Sequence, residues 1–306
     1  CLEILSGMKE DDSIWPFIYE IDENDDWRDP NVWAKAVPSL PNVVTPDFIE
    51  QRVLFAKNSP ENEVDVRTKN INQWVSSSSV WIQDDKIVKC LKTIELDKFK
   101  NRYVYGSVDL GYTSDLTAYT LMMAPDPNRE FEPDKFIFKT FFYLPEDSLN
   151  TSKNWVKYRT WKNNGYLITT PDDTTDYQYI LDDMVSHIGE MNYINLSYDA
   201  YQAVFMIIKA EQAGIPCAPF SQSLGNFNKV ITTFEMLMNK NLIIIDDNPI
   251  IRWNFQNVDM AMNTTGLKKP KKSRDPQKKI DGVITMLQCL GNWMADGGEG
   301  DVSFMS

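Results

Sequence analysis

Three aspartates, Asp109, Asp199 and Asp281, are widely separated in a 306-residue chain, yet each belongs to a regular element: one inside a strand, one ending a strand and one at a helix start. Asp109 falls inside the run from Tyr103 to Ala118, whose aromatic and β-branched opening predicts a strand followed by a Gly-containing turn. Asp199 ends the strand pattern that begins at Tyr193, and Asp281 opens a segment whose apolar positions 280, 283, 284, 287 and 290 keep the 3.6-residue period of a helix packed on a sheet. An ionised carboxylate is costly to bury alone, so Asp109 calls for a basic partner, a backbone cap or a metal. If the three acids converge, two unit charges about 4 Å apart repel by about 4 kcal/mol at an effective dielectric of 20. A proton or a cation must then intervene. All-oxygen ligands with no Cys or His nearby suit Mg²⁺ or Mn²⁺ rather than zinc. Two such ions, roughly 3.5–4 Å apart, can activate water and stabilise the leaving oxygen in phosphodiester cleavage.

The stretch before Asp281 supplies the complementary charge. Lys268, Lys269, Lys271, Lys272, Arg274, Lys278 and Lys279 set seven cations against Asp275 alone, although the whole chain carries a formal charge of −13. A basic loop on an acidic body is either a solvated connection or a contact for a polyanion at one defined place. Beside a carboxylate cluster it fits a metal nuclease, with the cations on the phosphate backbone and Lys278 or Lys279 near enough to steady transition-state charge. It does not fit an aspartic protease, which needs a symmetric acid pair without phosphate contacts.

Composition sets the outer limits. Hydrophobic content of 42% describes a folded chain with ample core, and no apolar run is long enough to span a bilayer. Four widely spaced cysteines and a single histidine, His187, exclude a zinc finger and give no disulfide framework, which makes a reducing cytoplasm the expected setting. His187 lies on a helical pattern away from any motif and reads as an ordinary surface or edge residue. The acidic run from Glu20 to Asp29 lacks the spacing of a calcium loop and reads as a solvated connection. The opening at Cys1 in an apolar run suggests a piece of a longer polypeptide.

The elements that must position the acids follow from pattern. Thr45-Pro46-Asp47 starts a helix to about Asn58, with Phe48, Val53, Leu54 and Phe55 on or near one face. Strands are expected near 103–110, 116–123 and 136–143, then helices and strands alternate. That order predicts an α/β fold, a mixed sheet with helices on both faces, in which polar residues at strand ends gather at one edge. Residues 1–100 read as a linker region, 101–296 as the sheet domain and 297–306 as a disordered tail.

The runs GSVDLGYTSDLTA, LSYDAYQA, DDNPIIRWNFQNVDMAMN and KKSRDPQKKIDGVITML resemble the nuclease part of the large terminase subunits of tailed bacteriophages. Upstream, IYEIDENDDWRDPNVWAKAVPSL and NINQWVSSSSVWI are similar to the region joining that family's ATPase to its nuclease. The resemblance implies an RNase H-like fold and a two-metal Mg²⁺/Mn²⁺ endonuclease that cuts concatemeric viral double-stranded DNA during packaging in the cytoplasm of the bacterial host. Portal protein and small terminase subunit are the implied partners. Position by position, Asp109, Asp199 and Asp281 match the metal-binding acids. Asp115 matches a commonly acidic position beside the site, where it either supports the ligands or satisfies its own turn. The family's ATPase P-loop is not in these residues, so no ATP hydrolysis is expected from them, and residues 1 to about 30 would belong to the end of that motor or its linker. A non-catalytic DNA- or portal-binding component, and another RNase H-like nuclease such as a resolvase or hybrid nuclease, are the alternatives.

Overall fold

Aromatic and β-branched residues between 103 and 145 form the expected meander, β2 (Tyr103–Asp109), β3 (Thr117–Met123) and β4 (Phe136–Pro145), in a computed structural model of the chain. A two-residue strand, β1 (Leu91–Lys92), precedes it. The structure describes residues 4, 11–22, 25–56, 60–73, 81–111, 115–189, 191–199, 204–263, 266–272, 275 and 277–298.

Two compact units divide the chain between Ser79 and Val80. In the first, α1 (Trp33–Ala36), α2 (Pro46–Ala56) and α3 (Pro60–Lys69) are followed by a turn ending at Ile71. Trp27, Trp33, Ile49, Val53, Ala56 and Ile71 are among its buried residues. The Thr45 hydroxyl accepts from the Phe48 N–H at 3.3 Å, as a helix cap should. The buried face of α2 differs from expectation. Ile49, Val53 and Ala56 turn inward, and Phe48, Leu54 and Phe55 are exposed. Steps of four and three residues define one helical stripe, and Phe48, Leu54 and Phe55 fall beside it. In the acidic run, Lys35 bridges Asp22 and Asp25, so these two carboxylates share an ammonium.

The second unit runs from Val80, because α4 (Asp84–Cys90) and β1, within the stretch read as linker, belong to the sheet layer. After β4 come α5 (Ser148–Thr151), α6 (Trp155–Asn163), β5 (Ile168–Thr170), α7 (Tyr177–Ile188), β6 (Asn192–Tyr198), α8 (Val204–Gln212), β7 (Cys217–Pro219), α9 (Leu224–Asn239), β8 (Ile243–Asp246) and α10 (Pro249–Asn257). A hairpin, β9 (Asp259–Met262) with β10 (Lys268–Lys271), precedes α11 (Asp281–Trp293). Among the described residues the sheet order is β1-β8-β4-β3-β2-β6-β7, with β5 also on β4. The β2–β3–β4 pairs are antiparallel, whereas β6 joins β2, and β7 joins β6, in parallel. This is the mixed sheet that the pattern predicts.

Strand alternation divides the core into two layers. On one face Val104, Val108, Tyr119 and Leu121 pack with Ile180, Leu181 and Met184 of α7 and Met206 and Ile207 of α8. On the other, Tyr105, Met122, Phe138 and Phe142 pack with Phe234 of α9, Ile251 of α10 and Val283, Leu287 and Leu290 of α11. Nearly every residue of α11 is buried, and it is the central helix of that face. Of the expected tail, 297–306, Gly297 and Gly298 close a turn, Met294–Gly298, that continues α11, and 299–306 lie outside the described residues. Gly297, at φ 92°, supplies the left-handed conformation on which the turn closes. The described cysteines, Cys90, Cys217 and Cys289, are free thiols. His187 is half-buried with its ring stacked on Phe141, 3.9 Å between centroids. Among the described residues no helix is long and apolar enough to cross a membrane.

Candidate active site

Asp109 is the last residue of β2, and it shares parity with Tyr105 and Ser107, the positions that face α11. Asp199 follows β6, the parallel neighbour of β2, where Val108 stands opposite Tyr198. Its parity is that of Asn195, whose side-chain oxygen accepts from Asn292 of α11 at 2.6 Å. Asp281 is the first residue of α11. Two adjacent strand ends and one helix start therefore bring the three acids to one end of the sheet.

Buried polar contacts fix where α11 lies. Ser107 of β2 donates to Gln288 at 2.5 Å, and Thr285 meets Thr120 of β3 at 2.7 Å. Gly282 matters at the helix start: a Cβ there would stand 2.6 Å from the Phe142 ring and 2.8 Å from Ile251. Asn254 of α10 accepts from the Gly282 N–H at 2.8 Å, which satisfies one of the free donors of the first turn. Asp281 is held against the sheet by packing below and a hydrogen bond beside it.

Asp109 is 8% exposed and Asp281 3%. Burial, and then the charge of Asp281, push the Asp109 carboxyl up to about 8, with Asp199 and Asp115 adding to the same repulsion. Burial likewise raises Asp281, against the pull of Lys272. The Lys272 ammonium donates to Asp281 Oδ1 at 3.1 Å while its side chain is 62% exposed. Desolvation of that ammonium works to lower its pKa, but Asp281 and Asp109 outweigh it and hold the lysine above its usual range. Asp281 Oδ2 is buried without a hydrogen-bond partner. This all-oxygen, partly unsatisfied acid group fits a hard divalent cation. Among the described residues no three acid, Cys or His side chains stand close enough together to form a ready-made ligand cluster.

Asp115 accepts from its neighbour's N–H, Leu116, at 2.8 Å and pairs with Lys279. The cationic stretch is not one loop. Lys268–Lys271 is β10, and Lys268 bridges to Glu235 at 3.2 Å. Lys269 donates to the Gln222 carbonyl at 2.8 Å. Both are turned onto the body of the unit. Lys272 and Lys279 meet the acids, Lys271 and Lys278 are exposed, and Arg274 lies outside the described residues. Sequence reasoning passed over Asn254 and Gln288, which carry no motif, and a second group of cations. Lys153, Lys157, Arg159 and Lys162 lie between Ser148 and Pro171, a span with no acid, and that imbalance was the available signal.

Residues 8–297 match the family described as the terminase large subunit, endonuclease domain. The chain belongs to that family. Its resemblance to Protein YmfN of Escherichia coli K12 is 25% identity over 309 aligned positions, covering 96% of this chain and 66% of the relative. The terminase large subunit of Enterobacteria phage HK97 is also 25% identical, over 90% of this chain and 53% of its own length. This terminase endonuclease chain thus spans between half and two-thirds of the curated relatives it matches. The crystal structure of the HK97 large terminase superposes with a TM-score of 0.60 at 23% identity, covering 90% of this chain and 56% of that one. The mixed sheet, with three antiparallel strands leading into two parallel ones, is the RNase H-like arrangement of the terminase nucleases.

Proposed function

We propose that this terminase domain is a divalent-metal-dependent endonuclease that cuts concatemeric viral double-stranded DNA during genome packaging. The observation that carries the reading is the pair Asp109 and Asp281, buried at one sheet end, mutually repelling, with Asp281 Oδ2 unpartnered. Asp109, Asp199 and Asp281 would hold two Mg²⁺ or Mn²⁺ ions. Bound there, the ions would supply an activated water and charge stabilisation for the leaving oxygen of the phosphodiester.

The chain's own residues prepare that chemistry. Gly282 and Asn254 fix the Asp281 carboxylate against the sheet, and Ser107 and Gln288 fix the helix that carries it. Lys272 and Lys279 hold positive charge at the acids, where it favours an incoming phosphate. Lys271 and Lys278, both exposed, extend the cationic surface beyond them. Residues before Val80 form the region that joins this domain to the packaging motor, and portal protein and the small terminase subunit are its partners in that assembly.

The test is cleavage of supercoiled plasmid in Mn²⁺ by the wild-type chain, Asp109→Asn and Asp281→Asn. The wild type should nick and linearise the plasmid, and each variant should be at least about a hundredfold slower, since even residues that only orient metal ligands are worth 10–100-fold. Equal cutting by all three proteins would assign the activity to a contaminant and remove the proposal.

A further inference from the structure

A polar cavity of about 210 Å³ opens beside the acids, lined by Ser148, Thr151, Ser152, Lys153, Asn154, Tyr158, Gln277 and Lys279. Hydroxyls, amides and two ammonium groups make up its polar lining, with no carboxylate. That is unusual for a chain whose acids outnumber its bases by 44 to 31. Lys279 joins the cavity to the site, because its ammonium also pairs with Asp115 at 2.5 Å. Tyr158 joins it a second time. Burial pushes its phenol up to about 12, and the charges of Asp115 and Asp281 add to that rise. The Asn154 amide donates to the Gln277 carbonyl at 2.9 Å and so ties α6 to the segment leading into α11.

Beyond the cavity, α6 continues the positive charge. Lys153 and Lys157 have no ion-pair partner among the described residues, and Arg159 bonds the neutral Asn150 amide rather than an acid. Lys162 alone of the group is neutralised, by Glu146. Trp155 is exposed, with the Arg159 guanidinium 5.4 Å from its ring centre. Charge thus runs from the acids through Lys279 and the hydroxyl-lined cavity to the exposed start of α6.

We infer that the cavity and the cations of α6 bind the phosphodiester backbone of the DNA duplex flanking the cut, as a second phosphate track that starts at Lys279 and leads away from Lys271, Lys272 and Lys278. Hydroxyl and amide donors suit phosphate oxygens at close range, and the lysines and arginine supply the salt-dependent attraction. The inference rests on the endonuclease reading and extends it to how the substrate is oriented.

The probe is an end-labelled DNA duplex titrated with the full chain in Ca²⁺ across a salt series, beside plasmid cleavage in Mn²⁺. Lys153→Glu combined with Arg159→Glu should bind about tenfold more weakly, and its plot of log affinity against log salt should be shallower by about 1–2, near 0.9 for each phosphate no longer neutralised. Cleavage at saturating DNA should stay near wild type, which places the effect in KM. Lys89→Glu on α4, an equal change of sign per residue outside the cavity, should leave the slope unchanged. If the double variant unfolds more easily, Lys153→Gln alone should still flatten the slope by about 0.9. Wild-type affinity and slope in these variants, with the wild type cutting normally, would overturn the second track and leave the endonuclease reading standing. A wild-type chain that neither binds nor cuts would overturn both.

Discussion

Asp109→Asn should stabilise the metal-free protein, and do so more as the pH rises. Burial and Asp281 lift this carboxyl from 3.8 to about 8. Between those values the folded chain keeps a proton that the unfolded chain releases, so the slope of stability with pH is negative. The contribution is fully present below about pH 4 and is lost as the pH climbs through about 8. A rise of about four units corresponds to a ceiling of roughly 5–6 kcal/mol at 1.36 kcal/mol per unit. Because Asp109 shares its repulsion with Asp281, about 2–4 kcal/mol is the expected share of one substitution. In a domain of this size each kcal/mol shifts Tm by about 2–4 °C. Thermal unfolding in chelator, for wild type and Asp109→Asn at about pH 5 and about pH 8, reads this directly. The variant should gain on the wild type by about 4–16 °C between the two conditions. Excess Mn²⁺ at the higher pH should restore the wild type and do little for the variant. A Tm difference that is the same at both pH values would refute the electrostatic account of the site.

Two further substitutions probe what surrounds the acids. Gly282→Ala places a methyl within 2.6–2.8 Å of Phe142 and Ile251, so it should cost about 1–3 kcal/mol in urea denaturation and slow plasmid cutting by displacing Asp281. An unchanged midpoint would show that the start of α11 yields freely. Lys272→Gln removes the ammonium from Asp281, so calorimetry should find tighter Mn²⁺ binding in the absence of DNA, together with weaker, less salt-sensitive duplex binding. Weaker Mn²⁺ binding would mean that Lys272 supports the ligands rather than competing with a cation for them.

What could be read from the chain depended on whether local pattern or distant pairing decided the outcome. β2 to β4 were legible because aromatic and β-branched runs favour strands wherever they occur, and α11 because its apolar period holds throughout. The hairpin of β9 and β10 was not legible: Lys268–Lys271 has a Pro and no apolar alternation, and it is a strand through pairing with Asp259–Met262. β1 escaped because two residues are too few to show a period, and they extend along β8, far away in sequence. At the site, Asp199 at a strand end and Asp281 at a helix start could be read from pattern, whereas Asp109 was expected inside a strand and is its last residue. Which lysines would turn to the acids could not, because Lys268 is drawn to Glu235 and Lys272 to Asp281 only once the hairpin has formed. The role of Gly282 was equally hidden, since it follows from the depth at which α11 packs on Phe142.

The shared-cation claim is tested most directly by anomalous diffraction from a crystal soaked in Mn²⁺. The account predicts peaks at oxygen-ligand distance, about 2.0–2.2 Å, from the carboxylates of Asp109 and Asp281, with Asp199 completing the site. Peaks confined to other carboxylates, or none beside Asp109 and Asp281 with the ion in excess, would contradict it.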